Sequence, residues 1–177
     1  MLTLETERLI LSPWRRKDAA DLYDYAKNPN VGPPAGWKPH ESVKESRKII
    51  RTIFQPNHVW AIRDKQTGKP IGTIGFEEDR YRPNISSREL GYSMSEEFWG
   101  RGLMTEAARE VIRYGFDHLK LEVICVCTGL ENKRSQSVIR KCGFTYEGTL
   151  RQAFKVFDGT KRDVMCHSLT REEFYGD

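Results

Sequence analysis

The stretch FWGRGLMTEA, residues 98–107, runs a tight glycine turn straight into an amphipathic helix. Gly100 and Gly102 flank Arg101, and behind them Met104, Ala107, Ala108, Val111, Ile112, Gly115 and Phe116 recur at helical spacing. The first N–H groups of a helix lack intrahelical acceptors, and the aligned peptide dipoles leave partial positive charge there. Glycines let the backbone approach an anion closely, and Arg101 adds a mobile cation, so the turn suits a pyrophosphate held by main-chain donors. The same residues also fit an ordinary strand-to-helix junction, because a Gly-x-Gly alone is neither a P-loop nor a dinucleotide fingerprint.

Outward from the turn, RELGYSMS (88–95) reads as the strand that delivers the chain into it. Downstream, LEVICVC (121–127) is a β-branched strand, and NKRSQSVIRKCGF (132–144) a short helix stopped by Gly143. Residues 144–157 and 162–169 form a last pair of strands around Asp158-Gly159. Upstream, Thr6 to Trp14 reads as a strand with Leu9 and Leu11 on one face, Asp18 to Ala26 as a short helix, and Glu41 to Phe54 as a second helix with Ser42 as its N-cap. HVWAIRD (58–64) and PIGTIGFEE (70–78) make a hairpin around residues 66–69. The proline- and glycine-rich segment VGPPAGWKPH, residues 31–40, is expected to be a loop. It carries Trp37 and His40, which either shape a substrate mouth or pack on the core. The resulting order β, α, α, β, β, β, α, β, α, β, β places the chain in the α/β (α+β) class, a mixed sheet with helices on both faces.

A chain of 177 residues is about one domain, and 31% charged against 38% hydrophobic residues, with no long apolar run, argue against a membrane span. The start, MLTLETERLI, lacks the profile of a signal peptide, so a cytoplasmic protein is expected. The net charge of +4 is spread along the chain and no helix shows a continuous basic face, so nucleic acid is not indicated as a partner. An anionic cofactor or a solvated basic surface accounts for the excess equally well. Cys125, Cys127, Cys142 and Cys166, with His40, His58, His118 and His167, show no metal-like spacing. The cysteines read as small core residues.

Three segments, taken together, resemble the GNAT N-acetyltransferase superfamily in its ribosomal-protein-type (RimJ/RimL-like) branch: ELGYSMSEEFWGRGLMTEA (89–107), ENKRSQSVIRKCGF (131–144) and YEGTLRQAF (146–154). The resemblance implies a single domain over residues 1–177, with a mixed, mostly antiparallel twisted sheet of six to seven strands. It implies acetyl-CoA as cosubstrate, a primary amine as acceptor, and a possible homodimer. The family's acetyl-CoA signature is Arg or Gln, two residues, Gly, one residue, Gly or Ala; its positions here are Trp99, Gly102 and Met104. Met104 departs from the usual small residue and stands to crowd the pyrophosphate. The cofactor site so implied comprises Trp99, Gly100, Arg101, Gly102, Leu103, Met104 and Thr105, the backbone of Ser93 and Met94 against the pantetheine arm, and the amide of Asn132. Asn132 is also placed to be a helix N-cap.

Acetyl transfer from a thioester needs a neutral amine and a proton for the departing thiolate, and proximity supplies much of the rate. By the resemblance, Glu89 is the carboxylate that deprotonates the amine through water, and Ser135 the hydroxyl that protonates the thiolate; Ser137, two residues on, should point elsewhere. Where ribosomal-serine-type relatives carry a glutamate proposed as base, this chain has Phe154, which favours Glu89 or a water relay. The expected acceptor is a protein N-terminal α-amine, with Trp37 and His40 at its mouth. A polyamine or aminoglycoside is an alternative, for which Glu77, Glu78, Asp79, Glu96 and Glu97 would have to converge. A non-catalytic acyl-CoA binding module is the other.

Overall fold

The computed structural model describes residues 1–176. Eight strands form one sheet: β1 (Leu4–Glu5), β2 (Leu9–Pro13), β3 (Trp60–Asp64), β4 (Pro70–Glu78), β5 (Ser87–Met94), β6 (Val123–Gly129), β7 (Thr145–Lys155) and β8 (Lys161–Thr170). Their spatial order is β1-β2-β3-β4-β5-β6-β8-β7. Every neighbouring pair is antiparallel except β5 and β6, which run parallel. That parallel pairing is short. Ser87, Arg88 and Glu89 pair with Val123, Ile124 and Cys125, after which β5 continues to Met94 bonded only to β4, and β6 to Gly129 bonded only to β8. The sheet is therefore notched at the carboxyl ends of its two central strands, the place where open α/β sheets receive ligands.

Strand alternation gives the sheet two apolar faces. Trp60 and Ile62 join Leu9, Leu11, Ile74 and Ile124 in the larger core, under the apolar stripe of α4 (Leu103–Asp117), whose Ala107, Ala108, Val111, Ile112 and Phe116 are fully buried. Ala61, between them, turns to the smaller core with Trp14, Leu22, Tyr25 and Ile50. There α1 (Ala19–Ala26) and α3 (Val43–Ile49) pack, and Arg63 reaches Asp18 at 2.6 Å and Ser12 at 2.7 Å. Ser42 caps α3 as its sequence predicts, accepting from the Glu45 N–H at 3.1 Å. The helix α5 (Lys133–Lys141) follows β6.

Several local expectations change. The expected first strand starts only at Leu9, because Thr6 and the Arg8 N–H turn out of the ladder to Glu106, and a two-residue strand, Leu4–Glu5, precedes it and raises the strand count to eight. Within 31–40, Gly32–Ala35 closes a helical turn, α2, since two prolines with preset φ open it and Gly36, at φ +91°, ends it. A short α6 (Arg171–Tyr175) ends the described chain, started by a capping box between Thr170 and Glu173. Lys44, Arg47, Lys48 and Arg51 recur at helical spacing and, with Arg16, line a surface depression that Ser42 and the Glu45 carboxylate also line. The cysteines divide. Cys125 and Cys142 are buried, while Cys127 and Cys166, paired across β6 and β8, are half-buried with their sulfurs 3.4 Å apart. Among the described residues, no helix is long and apolar enough to cross a membrane.

Candidate active site

The glycine turn closes the notch from one end. Gly100 and Gly102 both sit in the left-handed region, at φ +75° and +77°, which a residue with a Cβ resists. The first helical hydrogen bond of α4 runs from Glu106 N–H to the Gly102 carbonyl at 3.0 Å. The N–H groups of Leu103, Met104 and Thr105 thus have no protein acceptor among the described residues. The turn is braced from behind. Arg8 donates to the Arg101 carbonyl at 3.0 Å and to Glu106 at 2.7 Å, while the Trp99 indole donates to the Met94 carbonyl at 2.8 Å.

A groove of about 210 Å³ runs from these donors along β5 to the start of α5. Ser93, Met94, Trp99, Gly100, Gly102, Leu103, Met104, Thr105 and Asn132 line it, so all but one of the residues expected to hold the cofactor come together. The exception is Arg101, which is exposed and directs its guanidinium over the Phe98 ring, 5.1 Å from the centroid. Met104 lines the groove while only 8% exposed, its side chain packing in the larger core. Two cations supplement the backbone donors, Lys141 and Arg134, the latter 3.8 Å over the Trp99 ring. Free helix N–H groups with flanking cations, in a turn whose glycines leave the backbone open, suit a pyrophosphate or similar anion.

The groove meets a second cavity, of about 430 Å³, where Tyr92, Ser93, Asn132 and Ser135 line both. Asn132 caps α5, its Oδ1 accepting from the Ser135 N–H at 3.1 Å, and this fixes where the serine hydroxyl sits. Ser137 lines the groove, contrary to expectation, but not the second cavity. Tyr92 is the residue that sequence reasoning missed. Its phenol lies 2.9 Å from the Ser135 hydroxyl, and burial raises its pKa well above the ordinary phenol value, so it stays protonated. Its neighbours Gly91 and Ser93 in a strand aimed at the turn were the available signal.

In the second cavity, Glu89 on β5 lies in register between Glu77 on β4 and Cys125 on β6. Burial raises its pKa above the ordinary carboxyl value, Glu77 adds to the rise, and Arg80 opposes it. Trp37 and His40 line the same cavity, their rings 5.4 Å apart. His40 Nδ1 lies 2.8 Å from the Ser46 hydroxyl, and burial lowers its pKa, so the ring is neutral near pH 7. Trp37 also packs against the smaller core, and His40 is buried. Phe154 forms part of the cover, pressed so closely on Gly36 that a Cβ there would lie 2.2 Å from its ring, and Arg162 donates to the Pro33 carbonyl at 2.8 Å. The acidic residues do not converge. Only Glu77 of the five lines this cavity; Asp79 pairs with Arg82 at 3.2 Å, and Glu96 accepts from Asn28 and Asn30. Arg80 and Arg162 on the same walls balance Glu77 and Glu89.

Residues 8–145 match the acetyltransferase (GNAT) domain family. The chain is 33% identical to the uncharacterized N-acetyltransferase p20 of Bacillus licheniformis, covering 99% of this chain and 100% of that one. It is 31% identical to the uncharacterized N-acetyltransferase YoaA of Bacillus subtilis, over 95% and 96% of the two chains. The [ribosomal protein uS5]-alanine N-acetyltransferase of Escherichia coli is 28% identical over 97% and 92%. Among solved structures, a GNAT-family acetyltransferase from Bacillus anthracis superposes with a TM-score of 0.86 at 20% identity, covering 97% of this chain and 100% of that one. The spermidine N-acetyltransferase of Vibrio cholerae, solved with CoA and spermine, gives 0.79 at 23% identity, over 96% and 99%.

Proposed function

Since the chain belongs to the GNAT acetyltransferase family, and is an acetyl-CoA-dependent N-acetyltransferase, we propose that residues 1–177 act as one domain that acetylates a protein N-terminal α-amine, with Glu89 as base and Ser135 as proton donor. The observation that carries this reading is the meeting of the two cavities, where Ser135 faces the cofactor groove and the acceptor cavity at once while Glu89 lines the acceptor side.

Bound acetyl-CoA supplies the thioester. The N–H groups of Leu103, Met104 and Thr105 would hold its pyrophosphate, and Asn132 and the end of β5 would flank its arm. Glu89 takes a proton from the acceptor ammonium through water. An α-ammonium titrates near pH 8 and an alkylammonium above about 10, so a carboxylate whose pKa is raised by burial serves the former far better. As the amine nitrogen bonds the acyl carbon and the C–S bond breaks, Ser135 would give its proton to the departing sulfur, the second proton shed by nitrogen would restore the serine, and Tyr92 would hold the hydroxyl from behind.

The balanced charges of the acceptor cavity argue in the same direction, since a polyamine would need carboxylates in excess. The E. coli relative that acts on a ribosomal protein aligns over nearly the whole chain, which fits a protein acceptor. A cytoplasmic location fits an enzyme that consumes acetyl-CoA. The test is a panel of N-terminal peptides, spermidine and an aminoglycoside, incubated with acetyl-CoA and read by mass. Acetyl on a peptide α-amine supports the reading, and transfer to the small amines alone replaces it.

A further inference from the structure

We propose that the acceptor carries an apolar side chain beside its amine, seated in a compartment that an irregular turn at the end of α3 lines. This rests on the reading of Glu89 and Ser135 as the reacting end of the acceptor cavity.

Beyond Ile49 the helix widens. Residues Ile50–Phe54 wind with five-residue spacing, the Gln55 N–H reaching the Ile50 carbonyl at 2.9 Å and the Val59 N–H reaching that of Phe54 at 3.0 Å. A widened turn adds a residue to the helical cycle and re-aims the side chains beyond it, and such turns concentrate at functional sites. Ile50 stays fully buried in the smaller core, while Ile49, Ile53 and Phe54 line the acceptor cavity. With Trp37, Val59 and Phe154 they make an apolar wall. Ile53 is 48% exposed on it.

The wall is continuous with the reacting end, because Glu77 and Glu89 line the same space. An ammonium group is complementary to that carboxylate pair, and the apolar wall has area for a group much larger than a methyl. Arg80 and Arg162 repel a second cation on the acceptor. An alanine at the acceptor's first position would leave most of about 430 Å³ unfilled. Leucine, methionine or phenylalanine would cover Ile53 and its neighbours.

The test compares kcat/KM for peptides identical except for a first residue of Ala, Ser, Leu, Met or Phe, alongside 2-phenylethylamine and spermidine. Burial of a large apolar side chain predicts that Leu, Met and Phe exceed Ala by at least about tenfold. Ile53→Ser should collapse that ratio while acetyl-CoA affinity, which checks the fold, is kept. Equal or better rates for Ala and Ser, or an unaltered ratio in the variant, would overturn the proposal. Should no peptide react while 2-phenylethylamine outruns spermidine, the apolar compartment stands and the protein acceptor falls. Spermidine outrunning every other acceptor would overturn the compartment.

Discussion

The phenol of Tyr92 and the hydroxyl of Ser135 lie 2.9 Å apart, joining a central strand to the helix across the notch where the sheet divides. Because burial keeps Tyr92 protonated, the pair brings two hydroxyl protons to this junction. Tyr92→Phe removes one hydrogen bond, and kcat is expected to fall by up to about tenfold. The KM for acetyl-CoA should stay unchanged, which steady-state kinetics with varied acetyl-CoA checks.

Glu89 gives a pH signature. Its pKa is raised by burial and by Glu77, so the acid limb of kcat/KM should lie above the ordinary carboxyl range. Glu77→Gln removes the neighbouring charge and should move that limb to lower pH. Glu89→Gln should abolish the limb and lower kcat by about 100-fold or more. The stability effect runs opposite. A raised folded-state pKa favours the neutral carboxyl, so its stabilising contribution is full below the unfolded value near 4.5 and lost as pH rises through the folded value. Glu89→Gln should therefore raise the melting temperature at pH 7 while destroying activity.

Gly102 faces open space, where an added Cβ would meet only an Arg8 nitrogen at 3.7 Å. The cost of Gly102→Val lies in its φ of +77° and in blocking approach to the helix N–H groups. Acetyl-CoA affinity should drop at least tenfold by calorimetric titration, with the Tyr92–Ser135 end of the site left in place.

Asp18 and Arg63 form a pair with side chains 4% and 10% exposed, joined by Ser12. Asp18→Ala would leave the guanidinium buried and uncompensated, at a cost of about 3–5 kcal/mol. Urea denaturation should show this loss, and the folded fraction should keep its acetyl-CoA affinity.

Much of this was legible in the sequence because local rules and tertiary packing agree. The stripe from Met104 to Phe116 could bury only one way, and Ser42, Asn132 and Gly143 mark helix ends by their own hydrogen bonding and φ. Glu89 and Ser135 were placed by resemblance, Trp37 and His40 by the composition of their loop, and the four line one cavity. What escaped depended on distant partners. Nothing near Thr6 says that Glu106 will delay the strand to Leu9, and nothing near Ile50 says that the helix will widen. Tyr92 and Ser135 are 43 residues apart, and only the short parallel pairing of β5 with β6 brings their elements together.

The central claim is that Ser135 acts on the reacting sulfur at the junction of groove and cavity rather than holding the cofactor. The most direct measurement is kcat and acetyl-CoA affinity determined side by side for Ser135→Ala. We expect turnover to fall by about 100-fold with affinity within about twofold of the parent protein. Unchanged turnover, or a loss of affinity that accounts for the whole effect, would contradict the account.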